Sequence, residues 1–258
     1  MVANALFVIT RINRGDAQLS TRSFETAGEI AGTHDWVSPI AKENLGDRAY
    51  LALRAALMGG QLKPGEKLRL RPMSKRFGIS ATPMREAFLR LVSLDALALD
   101  ARGTAMVPEL TRDQLIEIRN IRVDLEGRAA AAAATLASAE DIAALEAMHA
   151  ALSRAFEAGD YAQAIDLNTQ FHLHLCRMGE MPILLEIVEN LWVRCGPLLS
   201  HLYDGGNPFS DTHPHLTVLE GLRRRDQAMT RGAICHDIEH GGQGLLHRAK
   251  GAQADQDI

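Results

Sequence analysis

About six stretches with helical periodicity follow one another between residues 109 and 250, and they constrain the fold more than any other feature of the sequence. The first stretch repeats apolar residues every three or four positions, at Ile118, Ile121 and Leu125. The segments between the stretches are short and lack the alternating apolar pattern of strands. Aromatic residues make up only 5% of the chain, which is low for a β-sandwich or barrel. The sequence therefore predicts a mainly α protein with a helical bundle over 109–250.

Polar residues that cap helix N-termini mark where several of these helices begin. Thr111 is followed three residues later by Gln114, and Ser138 by Asp141, which is the spacing of a capping box. Asp160 precedes a further apolar repeat and is a third N-cap candidate. These residues predict three helix starts within the bundle.

Charge is distributed unevenly along the chain. The net charge is −4, yet residues 40–108 contain 12 Lys and Arg against 6 Asp and Glu. A polyanion would bind this basic segment and not the acidic remainder, although charge alone fits a solvated surface equally well. We therefore divide the chain into a poorly ordered arm (1–39), a basic head (40–108), a helical body (109–250) and a frayed tail (251–258).

The head shows the order of elements of a winged helix-turn-helix. An amphipathic helix begins near Asn44, and a short helix follows around Pro72–Phe77. Ser80 is predicted to cap the next helix, because its hydroxyl can accept hydrogen bonds from the first free backbone N–H groups. Two short extended runs then flank Gly103, which tolerates the positive φ of a hairpin tip. The pattern predicts two helices at an angle, followed by a β-wing.

A helix-turn-helix reads DNA with the N-terminal end of its second helix, so small or polar residues and arginines are needed there. Ser80, Thr82 and Arg85 meet this need. Arg71 lies on the preceding helix, near the expected position of the DNA backbone, and Arg102 lies on the wing, within reach of an adjacent groove. The head is therefore predicted to bind a double-stranded DNA operator.

Several sequence blocks resemble one bacterial family. FGISATPMREAFLRL, over Phe77–Leu91, resembles the helix-turn-helix core of GntR-family transcription regulators, and QLKPGEKL, over Gln61–Leu68, is similar to the turn after their first helix. The stretches at 118–126, 168–172 and 215–226 resemble the FCD effector domain of the FadR subfamily. The resemblance implies a homodimeric, DNA-binding regulator, a repressor or activator and not an enzyme, whose body binds an effector and pairs two chains.

The resemblance also implies DNA-contacting positions in the head, which are Arg71, Ser80, Thr82, Arg85 and Gly103. Ala81 departs from the family, which commonly has an arginine there to read a guanine. The lost bidentate contact corresponds to about 1–3 kcal/mol of base discrimination. We therefore expect an operator different from the family's usual one, or weaker binding.

A metal site in the body is a further implication of the resemblance. Asn168 and His172 are four residues apart and share one helix face, and His215 and Asp237 match later positions of the FCD ligand set. Such imidazoles and a carboxylate suit a divalent ion such as Zn, Ni or Mn. The family usually has Asp in place of Asn168 and His in place of Asp237. Because two histidines and one carboxylate leave coordination positions open, we expect a small carboxylate effector there, assisted by Arg122.

Two alternatives stay open at this stage. The body could be a metal-free bundle that binds a larger acyl ligand, or a helical metal-dependent hydrolase that uses His172, His215 and Asp237. The hydrolase lacks an evident general base, nucleophile or hydrolase motif, and it leaves the basic head unexplained. Five other histidines are predicted to be ordinary side chains: His174, His201, His213, His240 and His247. Arg223–Asp226 is predicted to be a solvated helix end.

Cysteine content and hydropathy bear on the cellular location. Cys176, Cys195 and Cys235 are too few for a disulfide framework and none forms a CxxC pair, which predicts a reducing, cytoplasmic compartment. Cys176 and Cys195 lie on apolar faces and are predicted to be core residues. No apolar run approaches the roughly 20 residues that span a bilayer, so no membrane association is expected.

Overall fold

A computed structural model describes residues 45–202, 213–246 and 249. The predicted arm, 1–39, and the predicted tail, 251–258, lie outside the described residues. In the part of the chain that the structure describes, no helix has both the length and the hydropathy needed to cross a membrane.

The head contains three helices and a small sheet, as the sequence pattern predicted. The helices are α1 (Leu45–Met58), α2 (Leu70–Phe77) and α3 (Ala81–Ser93), and the strands are β1 (Lys67–Leu68), β2 (Ala98–Leu99) and β3 (Ala105–Met106). The sheet has the order β1-β3-β2 with antiparallel pairing, so β2 and β3 form the wing. β1 was not predicted, because a two-residue strand is too short to show an alternating pattern.

Ser80 corrects one detail of the predicted head. It occupies the N-cap position of α3 with an extended backbone, but its side chain makes no capping hydrogen bond. An N-cap hydroxyl bonds the backbone N–H two or three residues later, and the third residue here is Pro83, which has no N–H. The Ser80 hydroxyl is therefore not committed to α3.

The body consists of α4 (Arg112–Leu136), α5 (Ala139–Glu157), α6 (Tyr161–Met178), α7 (Pro182–Leu199), α8 (Pro214–Arg223), α9 (Gln227–Gly241) and α10 (Gln243–Leu246). Thr111 with Gln114 and Ser138 with Asp141 form complete capping boxes, and Asp160 caps α6, as predicted. The last helical stretch of the body forms two helices. α9 ends at Gly241 with Gly242 as its C-cap, and one further turn forms α10.

Small residues let the body helices approach one another closely. Ala129, Ala130, Ala133 and Ala134 on α4 are fully buried. Gly127, also on α4, faces α9 so closely that an added Cβ would lie 2.7 Å from the Cys235 Sγ atom. The alanine run is therefore a packing surface of the bundle. Cys176 and Cys195 are buried as predicted.

Arg223–Asp226 is exposed, as predicted, but Arg225 also makes a contact that the sequence did not indicate. Its guanidinium reaches the C-terminal end of α4 and donates to the carbonyl oxygens of Ala137 at 2.6 Å and Thr135 at 3.3 Å. Helix C-termini expose unpaired carbonyls and carry partial negative charge, so a cation there is favourable. Sequence reasoning missed this contact because α4 ends about 90 residues earlier in the chain.

Head and body meet where α1 packs on α7. An added Cβ on Gly196 would clash with the Leu57 carbonyl oxygen and lie 2.7 Å from the Met58 Cα atom. Beside this contact, Arg54 of α1 donates to Glu189 of α7 at 2.9 Å. The glycine allows the backbones of the two helices to touch, which ties the DNA-binding head to a helix of the body.

Candidate functional site

The residues predicted to contact DNA lie together on the surface of the head. Met84, Ala87, Phe88 and Leu91 anchor α3 in the core of the head, and this leaves its opposite face in solvent. All of the predicted contact residues are exposed: Arg71, Ser80, Thr82, Arg85, Arg102 and Gly103. A cleft of about 320 Å³ between α3 and the wing is lined by several residues, among them Arg69, Arg85 and Gly103.

The wing tip is shaped by Asp100. Its carboxylate accepts hydrogen bonds from the backbone N–H groups of Arg102 and Thr104, each at 2.9 Å, and Gly103 takes a φ of 74°. The bond from Thr104 is the main reason that the pKa of Asp100 lies below its usual value. These bonds fix the hairpin and present Arg102 at its tip.

Arg90 has a different role from Arg85, the other arginine of α3. Its guanidinium lies 3.9 Å from the centre of the Tyr50 ring and pairs with Asp47, so it joins α3 to α1. A cation over an aromatic face is attracted by the negative face of the ring. Arg90, although exposed, therefore joins two helices of the head, and Arg85 is the exposed arginine in the first turns of α3.

In the body, His172 lies between two carboxylates. Its Nδ1 atom is 2.7 Å from the Glu126 Oε2 atom, and its Nε2 atom is 2.9 Å from the Asp237 Oδ2 atom. Burial alone would lower the pKa of His172, but hydrogen bonds and charge from Asp237 and Glu126 raise it to about 9. The histidine, which is 1% exposed, joins α4 to α9 through α6.

Glu126 is the hub of this network. It accepts from Arg122 Nε at 2.6 Å and from Trp192 Nε1 at 3.1 Å, in addition to His172. Burial would raise the pKa of Glu126, but the charges of Arg122 and His172 lower it to about 2. No role was predicted for Glu126, although it lies in a stretch that resembles the FCD domain. Two of its partners, His172 and Trp192, lie on other helices far away in the chain.

Arg122 borders the space available to a ligand. Its guanidinium stacks over the Trp192 ring at 3.8 Å and lines two cavities, of about 50 and about 30 Å³. The larger cavity is also bordered by Asn168, His172 and Asp237, so the structure brings together Arg122 and three of the predicted metal-site residues. The fourth, His215, is fully buried next to them, with its Nε2 atom 3.9 Å from the Asp237 Oδ1 atom.

Two further histidines complete a cluster around His215. His213, predicted to be an ordinary side chain, lies in this cluster, with its ring centre 4.3 Å from that of His215. The ring centre of His149, on α5, is 5.2 Å from that of His213. Burial lowers the pKa values of His149, His213 and His215, so all three favour the neutral form that binds metals. The close spacing of His213 and His215 in the sequence could have indicated a cluster of histidines, whereas no nearby residue indicated that His149 belongs to it.

The donor atoms in this region fall into two overlapping groups. One consists of His172, His215 and Asp237, and the other of His149, His213 and His215; within each, the ligand atoms lie within 4.8 Å of one another. Both groups have the nitrogen and oxygen donors that divalent transition metals prefer.

Comparisons with known proteins agree with this two-part organisation. The family model for "Bacterial regulatory proteins, gntR family" matches residues 45–107, and the model for the FCD domain matches residues 117–240. The HTH-type transcriptional regulator McbR of Escherichia coli K12 is 39% identical over 191 residues, which cover 72% of this chain and 86% of McbR. The HTH-type transcriptional regulator YdhC of Bacillus subtilis is 28% identical over 202 residues, covering 74% and 88% of the two chains.

Solved structures give the same picture. The structure of E. coli McbR/YncC superposes with a TM-score of 0.74 at 35% identity, covering 79% of this chain and 98% of that chain. A transcriptional regulator GntR from Rhodococcus sp. RHA1 has a TM-score of 0.65 at 19% identity, covering 78% and 97%, and supports the fold alone. The likeness extends over both the head and the body.

Proposed function

The chain belongs to the GntR family of bacterial regulatory proteins with an FCD domain, and we propose that a small organic acid bound in that domain controls its binding to DNA. The protein is a DNA-binding transcriptional regulator with a ligand-binding C-terminal domain. The proposal concerns what the ligand is, how it is held and how it acts on the head. The observation that carries it is the buried Arg122 at the edge of a small cavity that Asn168, His172 and Asp237 also line.

The size and lining of the cavity favour a small anion. About 50 Å³ beside Arg122, Asn168 and His172 suits a ligand of few atoms and not a long acyl chain. The guanidinium forms one short bond to Glu126 and retains donors for a second acceptor. A carboxylate is the acceptor whose geometry matches the guanidinium fork.

A divalent ion such as Zn, Ni or Mn would bind beside the same cavity. Glu126 already neutralises Arg122, and Asp237 adds a second carboxylate, so the side chains alone offer an incoming anion little net positive charge. His215 belongs to both groups of closely spaced donors, and the Asp237 Oδ1 atom lies 3.9 Å from its Nε2 atom. A bound ion would supply the positive charge that attracts a carboxylate.

Helix α7 links the cavity to the head. Trp192 contacts Glu126 and Arg122 beside the cavity, and Gly196, one turn further along α7, touches the backbone of α1. A ligand that displaces Trp192 would therefore change how α1, and with it the head, sits on the body. Control of DNA binding requires such a difference in ligand affinity between two head arrangements.

On the DNA side, we propose that the exposed residues of the head form the operator-binding surface: Arg71, Ser80, Thr82, Arg85, Arg102 and Gly103. We further propose that two chains act as a homodimer, because each head has a single recognition helix and helix-turn-helix dimers read two half-sites. Since the operator is chromosomal DNA, the protein would act in the cytoplasm, as a regulator and not as an enzyme.

The test uses the full chain and duplexes that it selects from a random DNA library. We expect preference for the selected duplex over a scrambled one at moderate salt, and a change in that affinity when small mono- and dicarboxylic acids are added. The same acids should raise the thermal unfolding temperature by mass action.

Arg122→Lys keeps the charge but loses the guanidinium fork, so it should weaken the response to the acid and leave the DNA affinity intact. Arg128→Lys, an exposed position on the same helix, is the matched control. If no acid changes either the unfolding temperature or DNA binding, the proposed effector class is wrong.

A further inference from the structure

Three imidazoles converge at a point that the family resemblance did not mark. His149 comes from α5, His213 caps α8, and His215 lies in its first turn. The ring centres of His149 and His215 are 5.5 Å apart, and the ligand atoms of all three histidines lie within 4.8 Å of one another. The Asp237 Oδ1 atom adds an oxygen to this cluster, at 3.9 Å from His215 Nε2 and 4.0 Å from His213 Nδ1.

Several polar atoms of this cluster are buried without a hydrogen bond. Among the described residues, neither ring nitrogen of His215 has a partner, and the same holds for His149 Nδ1 and Asp237 Oδ1. His215 is fully buried, stacked on Phe171 with ring centres 3.6 Å apart, so water does not satisfy it from the surface. Buried polar atoms are normally bonded, and a group of them around one point indicates a missing ligand.

His172 is in the opposite situation. Both of its ring nitrogens already bond to carboxylates, one to Glu126 and one to Asp237. Asn168 lines the cavity together with His172. The unsatisfied atoms therefore lie on the His149 side of Asp237 and not on the His172 side.

We infer that a divalent metal ion binds between His149, His213, His215 and the Oδ1 atom of Asp237. This inference rests on the metal in the proposed function and names its ligands. Three neutral imidazoles and one carboxylate oxygen form a tetrahedral donor set suited to zinc.

Metal binding would draw the ligand atoms closer together. Ligand atoms in a tetrahedral site with bonds of about 2.0–2.1 Å are about 3.4 Å apart. The separations of 3.9 and 4.0 Å to Asp237 Oδ1 would therefore shorten by roughly half an ångström, and the histidine ligand atoms, which lie within 4.8 Å of one another, would move by up to about 1.4 Å. His213 Nδ1 also accepts a long hydrogen bond of 3.2 Å from the His215 backbone N–H, which an ion would replace.

His172 then becomes a positioning residue. Its bond to Asp237 Oδ2 holds the carboxylate so that Oδ1 faces the three histidines. Hydrogen-bonded partners of this kind orient metal ligands in many proteins. Through Glu126, the same chain of contacts reaches Arg122 and Trp192, so the ion is connected to the effector cavity and to α7.

The experiment loads chelator-treated full-length protein with Co²⁺ or Zn²⁺ and measures affinity, stoichiometry and the visible absorption of the cobalt form. We expect about one equivalent of metal and the intense visible bands of tetrahedral cobalt. His149→Gln and His213→Gln should each weaken binding by at least about tenfold, whereas His172→Gln should keep the stoichiometry and the tetrahedral bands. His240→Gln, an exposed histidine on α9, is the matched control.

X-ray absorption of the unmodified zinc form gives a readout that does not depend on any variant folding, and we expect it to show three imidazoles. Full metal affinity in both His149→Gln and His213→Gln, together with its loss in His172→Gln and Asn168→Ala, would overturn the ligand assignment but leave the proposed metal in place. If the unmodified protein took up no metal, both the ligand assignment and the proposed metal would be wrong, but the proposal that the head binds DNA would still stand.

Discussion

The head and the body place their functional residues in opposite environments. In the head, the residues predicted to contact DNA are exposed and lie within residues 71–103. In the body, Arg122, Glu126, His172, His215 and Asp237 are buried and span more than a hundred positions of the chain. Exposed side chains can be replaced at little cost to folding, whereas a buried charged network contributes both to the site and to the core. We therefore expect substitutions to separate function from stability in the head but not in the body.

The largest expected effect is the loss of Glu126. Glu126→Gln removes the charge that Arg122 and His172 share and leaves a cation buried without its partner. Removal of one partner of a buried ion pair costs about 3–5 kcal/mol, and we expect a loss of this order in the free energy of unfolding, measured in urea. Glu117→Gln on the exposed side of the same helix should change it by less than about 0.5 kcal/mol. Equal stability of the two variants would contradict the network described here.

Gly196 tests the contact between the two regions. In Gly196→Ala the new methyl group meets the backbone of Leu57 and Met58, which cannot move aside as a flexible side chain could. We expect a loss of about 1–3 kcal/mol in the free energy of unfolding, as for other overpacked sites.

Gly232→Ala, in α9, provides the control for Gly196→Ala. An added Cβ there has nothing within 4 Å, so the helix should gain about 0.5–1 kcal/mol. If Gly196→Ala also stabilised the protein, α7 would not be packed directly against α1. The effector response of Gly196→Ala should weaken as well, because α7 is the proposed link between cavity and head.

Arg85 tests the head alone. Arg85→Ala removes an exposed arginine from the first turns of α3, so operator affinity should fall by about 1–3 kcal/mol in a gel-shift or anisotropy titration. The thermal unfolding temperature of Arg85→Ala should differ from that of the unmodified protein only as much as for an ordinary surface substitution. Arg128→Ala makes the same change of charge on the body and should leave operator affinity unaltered. If Arg85→Ala lowered the stability of the protein and not its affinity for the operator, the expected separation of function from stability in the head would be wrong.

The sequence was sufficient where function depends on neighbouring residues. The family, the fold class and the DNA-binding regulator were predicted correctly, since the block around Thr82 and Arg85 and the capping boxes are local patterns. The partners of His172 and Arg225 could not be predicted, because they are brought together by packing between helices far apart in the chain. His149 shows the limit most clearly: its neighbours His213 and His215 are more than 60 positions away, and nothing in its own helix distinguishes it.

The smallest expected effect compares two helix caps. Thr111 bonds the backbone N–H of Gln114, so Thr111→Ala should cost about 0.5–2 kcal/mol of unfolding free energy. Ser80 makes no such bond, because Pro83 lacks the N–H, so Ser80→Ala should leave stability almost unchanged and lower only the affinity for the operator. Urea unfolding and DNA titration of the same two variants distinguish the cases. A large loss of stability in Ser80→Ala would mean that its hydroxyl supports α3 after all and is not held ready for DNA.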